Sequence, residues 1–426
     1  MAGGVTTVVE EGDQVVLDVN NGEKVVITQV TKKARIKLGR SYVSCLPLLG
    51  QTYGTVFELS ADGRTLVGGS KNALDVLNGD FKNTSTERNN EKLVDDGTAQ
   101  KLTQKDIEQL KGDGITGGEL INKLVENSAT FKMKTEFSQE KYKKRKQKKY
   151  CTVLVLCRPC AQNICEAFYQ KSPFKICGLR LDSLSLLLNL GNVCPYSRVL
   201  VLEESGGMIL ASALERLGGY GQVCALSMDA KRPAPKDIVR FFNFEEHVTA
   251  AGRHTSLEEL LKAKEVKTIE DCGEVPEESK QEGDDEGKSS EGNPRKKMKV
   301  SRNHGALKRV FMPKRAETSE LEELASAGFD SLIVVAPRYS PESVMDKLAS
   351  LLAPSAAFAV FSPYLQPLVD CRYSLSSQKA AVSLQLTETF WREHQVLPGR
   401  THPNMNMTTG PTSGYILSGV MTQNLP

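Results

Sequence analysis

Short runs of alternating apolar and polar residues occupy the chain from residue 13 to about 70. "QVVLDV" and "KVVITQV" each alternate, and they flank Asn20-Asn21-Gly22, residue types that tolerate the positive φ of a tight hairpin. "RIKLG", "YVSCL" and "GTVFELS" follow at short spacing, and Asp62-Gly63 marks a further turn. This period of two predicts a small N-terminal β-barrel, or a sandwich, over residues 1–75. Residues 76–150 change character. "NGDFKNTSTERNNEK" is the least core-like stretch and reads as linker. From Thr103 the period becomes helical. Thr103 and Asp106 are spaced as a capping pair, and Leu120, Ile121, Leu124 and Val125 share one helical face. Glu136 to Lys149 is a third helix-compatible stretch.

From Cys151 the pattern changes again. Apolar runs ("CTVLVLC", "RVLVLEE", "GQVCALS", "DSLIVVAP", "AFAVFSP") alternate with amphipathic ones ("LDSLSLLLNLG", "ILASALERLG", "PESVMDKLASLLAP"), and "VSLQLTETF" and "GYILSGV" close the chain. Strands alternating with helices predict an α/β domain over 151–426 built on a parallel sheet. Between about Glu265 and Asn303 large apolar residues nearly vanish, which predicts a disordered acidic and basic insert within that domain.

Bulk properties narrow this picture only a little. The chain has 426 residues, enough for two or three domains, and a formal net charge of +3 that excludes nothing by itself. Its 10 cysteines are scattered, several inside apolar runs, as expected of buried thiols in a reducing compartment. No apolar run approaches a membrane span, and no secretory signal is recognisable at the N-terminus, so a soluble intracellular protein with no membrane partner is expected.

"LEESGGM", Leu202 to Met208, joins an apolar strand to a helix, where an open α/β sheet carries its nucleotide-type cofactor loop. Cofactor-binding methyltransferases read acidic-x-Gly-x-Gly-x-Gly there. Glu203 fits the acidic position and Gly207 the middle glycine, but Ser205 and Ile209 stand at the outer two. A side chain at the first disturbs the turn, and a β-branched one at the third blocks the cofactor or pushes helix from strand. The next acidic landmark, at the end of "GQVCALS", is Ser227. The strand "FDSLIVV" ends on Val335, which can neither take a proton nor hydrogen-bond an amine. These four positions predict a degenerate cofactor site and no catalytic residue.

Charge is concentrated rather than spread. "KYKKRKQKKY", Lys141 to Tyr150, holds seven Lys or Arg among ten residues, with no acid and a tyrosine near each end. A polyanion is the natural partner of such a helix, and the tyrosines can stack on bases; a nuclear-import signal or a solvated face would carry the same residues. "PRKKMKV", Pro294 to Val300, follows the acidic "EGDDEG" and reads as a nuclear-localisation signal or as its charge balance. "CRPC", Cys157 to Cys160, has disulfide-exchange spacing but no second pair at zinc spacing, so no metal is expected. Arg400, Thr401 and His402 lie in a polar loop that could hold phosphate or a neighbouring subunit.

Taken together, "QTYGTVFEL", "LVDDGTAQKLTQKDI", "LVENSATFKMKTEFSQEKYKKRKQKKY", "LRLDSLSLLLNLGNV", "ERLGGYGQV" and "ETFWREHQVLPGRTHP…GYILSG" resemble the non-catalytic, RNA-binding subunits of eukaryotic tRNA (adenine-58) N1-methyltransferase. The resemblance spans nearly the whole chain apart from the insert. It implies a Rossmann-like methyltransferase fold, with a degenerate cofactor site, behind an N-terminal β-barrel. It implies a heterotetramer of two catalytic and two non-catalytic subunits, nuclear location, and S-adenosylmethionine held by the catalytic partner and not by this chain. It places the partner's catalytic aspartate at Val335 and its Pro-Trp pair at Tyr339 and Ser340. Its tRNA-facing residues would be Asn90, Lys92, Asp95, Asp96, Thr98 and Gln100; then Lys141, Tyr142, Lys143, Lys144, Arg145, Lys146, Lys148, Lys149 and Tyr150; then Lys171 and Lys175; and, more weakly, Arg400 and His402. Two other readings share some of these features. One is an active S-adenosylmethionine-dependent RNA methyltransferase with an atypical loop, using Gly206, Gly207 and Glu203. The other is a translation-initiation accessory factor acting through RNA affinity.

Overall fold

The computed structural model describes residues 8–38, 41–60, 63, 65–69, 100–112, 117–131, 134–150, 152–229, 231, 233–271, 310–395, 401–403 and 412–422. The N-terminal part is antiparallel. Strands β1 (Gln14–Val19) and β2 (Lys24–Gln29) form the expected hairpin, with Asn20, Asn21 and Gly22 at φ 53°, 57° and 84°. β3 (Arg35–Leu38) and β4 (Ser41–Ser44) form a second hairpin, and β5 (Val56–Leu59) pairs with β6 (Leu66–Gly68).

The strand Val153–Cys157, β7, corrects the sequence analysis. It does not open the parallel sheet but lies antiparallel between β1 and β5, giving the order β2-β1-β7-β5-β6. Its alternation supplies the reason: Leu154 and Leu156 join Val15, Leu17 and Phe57 in the N-terminal core. The expected N-terminal antiparallel sheet is present, and among the described residues β2 and β6 share no ladder. The other face of β1 places Val16 in the main core, and Asn243 clamps the Gln14 backbone through both its amide atoms (2.8 and 2.7 Å).

Among the described residues, helices α1 (Gln104–Gly112), α2 (Gly117–Glu126) and α3 (Glu136–Tyr150) follow. The capping pair forms as expected, Asp106 Oδ2 accepting from Thr103 N and Oγ1 at 2.9 Å each, and Leu120, Ile121 and Leu124 are the buried face of α2.

The larger sheet is built from β8 (Arg198–Glu203), β9 (Gln222–Ser227), β10 (Gly252–Ser256), β11 (Lys314–Arg315), β12 (Phe329–Val335), β13 (Leu352–Ser362), β14 (Ala381–Phe390) and, beyond the two-stranded β15 (His394–Gln395) and β16 (His402–Pro403), β17 (Thr412–Met421). The order is β11-β10-β9-β8-β12-β13-β17-β14, parallel through β13, with β17 antiparallel to both neighbours. This is a doubly wound, Rossmann-like sheet. Both faces are covered, so each central strand is apolar throughout. Val199, Val201, Ile333 and Val335 face α4 (Ala161–Lys171), α5 (Leu181–Leu190) and α6 (Met208–Leu217). Leu200, Leu202, Leu332 and Val334 face α8 (Leu257–Asp271), α9 (Thr318–Ala327), α10 (Pro341–Leu348) and α11 (Leu365–Ser377); the short α7 (Glu246–Ala250) precedes β10. Because α8 runs to Asp271, the first residues of the expected insert, from Glu265, are helical; the rest, with Pro294–Val300, lies outside the described residues. Strand order reverses between β8 and β12, and the loops after these strands meet at the switch point, where open α/β sheets place ligands.

At the far edge Arg253 on β10 holds Glu320 in the first turn of α9 with both carboxylate oxygens engaged (2.7–3.0 Å). The guanidinium draws the Glu320 carboxyl from 4.5 down to about 2. The folded value lies below the unfolded one, so the stabilisation is complete above pH 4.5 and is lost as pH falls toward 2. With solvent screening at this partly exposed pair, Glu320→Gln should cost about 1–2 kcal/mol at neutral pH and almost nothing near pH 2. Urea denaturation of both proteins across that range checks it, and a gap that does not change with pH would refute it.

Candidate functional site

Glu203 ends β8 and is 3% exposed. The chain then turns through Gly206 (φ 74°) and Gly207 (φ 92°) into α6. Its carboxylate folds back over that helix. Oε1 accepts from Leu210 N (2.8 Å), and Oε2 accepts from Ile209 N (3.0 Å) and from Ser205 Oγ. Burial pushes the Glu203 carboxyl above the usual range, and these donors offset part of the rise. Helix N-terminal N–H groups have no partner within the helix and commonly hold an anion from outside. Here the chain's own carboxylate occupies them.

The space over the loop is also filled. A Cβ on Gly207 would meet Lys236 Cα at 2.7 Å, Ile238 N donates to Gly206 O (3.0 Å), and Lys175 O lies 3.5 Å from where a Gly206 Cβ would stand. Backbone at Lys175 and from Pro235 to Ile238 thus closes the glycine loop from two sides. Lys236 in turn reaches His254 Nε2 at 2.8 Å. This packing leaves no open cradle over the two glycines, so the residues present do not fit an S-adenosylmethionine.

The structure brings Ser205, Ile209 and Val335 together at this point, all fully buried. Ser205 spends its hydroxyl on Glu203, while Ile209 and Val335 are core residues beside Ile238 and Phe361. Ser227 stands apart at the end of β9, where its hydroxyl and Asp229's backbone form a local turn (2.8 and 3.3 Å) rather than a free acidic landmark. Across the switch point the Arg338 guanidinium pairs with Glu204, and Glu204 N donates to Val335 O (2.8 Å), tying the two loops together. Beyond them a cavity of about 350 Å³ remains at the ends of β12 and β13, lined by Pro337, Tyr339, Ser340, Glu342, Ser362 and Tyr364 among others.

The basic helix α3 differs from a one-sided stripe. Tyr142, Lys146 and Tyr150, four residues apart, form a half-buried row. Tyr142 packs edge-on against Phe131 (5.5 Å), and Lys146 Nζ lies over both tyrosine rings (5.3 and 5.8 Å). Burial raises the Tyr142 hydroxyl above its ordinary value. Tyr142 therefore anchors the helix more than it offers a stacking face. Lys141, Lys143 and Arg145 are exposed, and the side chains of Lys144, Lys148 and Lys149 lie outside the described residues.

Of the other expected tRNA-facing residues, Asn90, Lys92, Asp95, Asp96, Thr98 and Arg400 lie outside the described residues. Gln100 bridges to Ser128, and its amide is buried rather than presented to solvent. His402 is half-buried in the β15–β16 hairpin, its Nδ1 2.9 Å from Pro403 O. Lys171 and Lys175 are exposed. Cys157 and Cys160 are free thiols, and burial pushes Cys157 up to about 11, away from thiolate chemistry. Among the described residues no group of His, Cys, Asp or Glu could hold a metal, and no helix is long and apolar enough to cross a membrane.

Residues 8–291 match the model of the Gcd10p family. The chain belongs to the Gcd10p family. It is 34% identical over 421 residues to the tRNA (adenine(58)-N(1))-methyltransferase non-catalytic subunit trm6 of Dictyostelium discoideum, covering 97% of this chain and 79% of that one. It is 31% identical to the mouse protein of the same description, covering 96% and 88%. Among solved structures, tRNA (m1A58) methyltransferase TrmI from Aquifex aeolicus is similar at TM-score 0.43 and 12% identity, over 98% of this chain and 100% of that one. In this Gcd10p-family chain the sequence reading passed over Phe174. It stands between Lys171 and Lys175 and is 95% exposed. A phenylalanine between two lysines was the only available signal.

Proposed function

We propose that this chain is the non-catalytic subunit of a tRNA (adenine-58) N1-methyltransferase, holding tRNA while a catalytic partner supplies cofactor and chemistry. The observation that carries the reading is the glycine loop closed by the chain's own backbone, in a chain whose relatives are described as non-catalytic subunits. The rival reading, an active methyltransferase with an atypical loop, needs the room that Pro235–Ile238 fills. In this assignment S-adenosylmethionine sits in the partner, two copies of each subunit form the enzyme, and the complex is nuclear. The nuclear assignment leans on Pro294–Val300, outside the described residues.

The target N1 atom lies within the folded tRNA, so exposing it costs tertiary structure; a second subunit gripping phosphates helps to meet that cost. On this chain Lys141, Lys143 and Arg145 are exposed on a helix fixed by Phe131 and Tyr142, which suits contact with a shaped RNA backbone. Replacing all three with alanine in the complete complex should weaken tRNA binding about 10- to 100-fold near physiological salt. It should also reduce the slope of log affinity against log salt by about 2–3. Filter binding across a salt series measures both, and an unchanged slope would remove α3 from the RNA interface.

A further inference from the structure

The turn that carries Phe174 is rigid and built from the inside. Residues Pro173–Ile176 form one 3-10 turn, closed by Lys175 N to Ser172 O (3.0 Å) and Gly178 N to Pro173 O (2.8 Å), with Cys177 in the left-handed region (φ 54°). Ile176 is fully buried in the main core and fixes the inward side. The Ser413 hydroxyl holds Gly178 O (3.1 Å), and Arg180, two residues on, is clamped to Asp182 and lies over Trp391 (5.6 Å). Lys175 O lies 3.5 Å from where a Gly206 Cβ would stand, which places the turn beside the glycine loop at the switch-point edge of the sheet.

On this fixed mount Phe174 points into solvent, and at 95% it is the most exposed large apolar side chain among the described residues. Lys171 and Lys175 on either side are also exposed, and neither forms an ion pair with another described residue. A second protein would have to neutralise two ammonium groups to reach this ring. A nucleic acid brings phosphates for them and a base for the ring.

We infer that Phe174 is a stacking platform for an unpaired nucleobase of the bound RNA, with Lys171 and Lys175 holding adjacent phosphates. The inference rests on the RNA-holding role proposed above. Stacking tolerates any base, because every base has a π-face, and it carries no counterion release. Ring and lysines therefore leave separable signatures.

The test uses the complete two-subunit complex and a tRNA transcript. Phe174→Ala should weaken binding about 5- to 50-fold with the salt slope unchanged. Phe174→Trp should keep the affinity and show quenched indole fluorescence on binding. Lys171→Ala with Lys175→Ala should lower the slope by up to about 2. Phe174→Ala binding tRNA as tightly as the parent overturns the stacking role and leaves the subunit assignment intact. Phe174→Ala impairing assembly with the catalytic subunit, with tRNA affinity lost only in proportion, overturns it in favour of a protein contact. A catalytic subunit that binds and methylates tRNA equally well without this chain overturns the subunit assignment itself.

Discussion

Val335→Asp, the substitution that puts an acid back at the end of β12, should destabilise the protein by about 3–5 kcal/mol and confer no activity. Val335 is fully buried. It pairs directly with Glu203 across the β8–β12 ladder, so both side chains stand on the same face of the sheet. A new carboxylate there would be desolvated beside the buried carboxyl of Glu203. Burial raises its pKa, so the variant should recover part of its stability as pH falls and the group takes a proton. Val335→Ala, which removes two methyl groups and adds no charge, should cost only about 1–2 kcal/mol. Denaturation midpoints for the three proteins at neutral and mildly acidic pH decide it. An aspartate tolerated within about 1 kcal/mol would mean that the end of β12 still opens to water.

The contrast between Val335 and Phe174 marks what could be read from sequence. Deviation at a motif position is a local signal, so Ser205 and Ile209 single out the loop, and Val335 the strand end, without any structure. The same holds for the β1–β2 hairpin, whose turn lies within four residues, and for the buried face of α2. What closes the loop was not legible. Pro235 and Lys236 come from beyond β9, and no pattern in "KRPAPK" announces that its backbone will lie against Gly207. β7 failed for a related reason: its apolar run suits either sheet, and its partners β1 and β5 lie about 140 and about 100 residues upstream. On α3 the charge was legible but the packing was not, because Phe131, which turns Tyr142 inward, precedes the helix. Phe174 inverts the usual rule: hydrophobic pattern assigns a phenylalanine to the core, but in this turn Ile176 takes that place.

Glu203→Ala should be as damaging as Val335→Asp, about 3–5 kcal/mol, although Glu203 meets no ligand. The substitution leaves the N–H groups of Ile209 and Leu210 without an acceptor in a place water does not reach, and each such loss costs about 1–3 kcal/mol. Glu203→Gln keeps the shape and one acceptor oxygen and should cost less, about 1–2 kcal/mol. The pH dependence of that pair separates two accounts of the site. With the folded carboxyl raised above 4.5, its contribution is complete below pH 4.5 and is lost as pH rises through the folded value. The gap between parent and Glu203→Gln should therefore narrow toward neutral pH. If it widens instead, the helix donors outweigh burial and Glu203 is held as an anion. The loop would then be an internal anion site, built on the first N–H groups of α6.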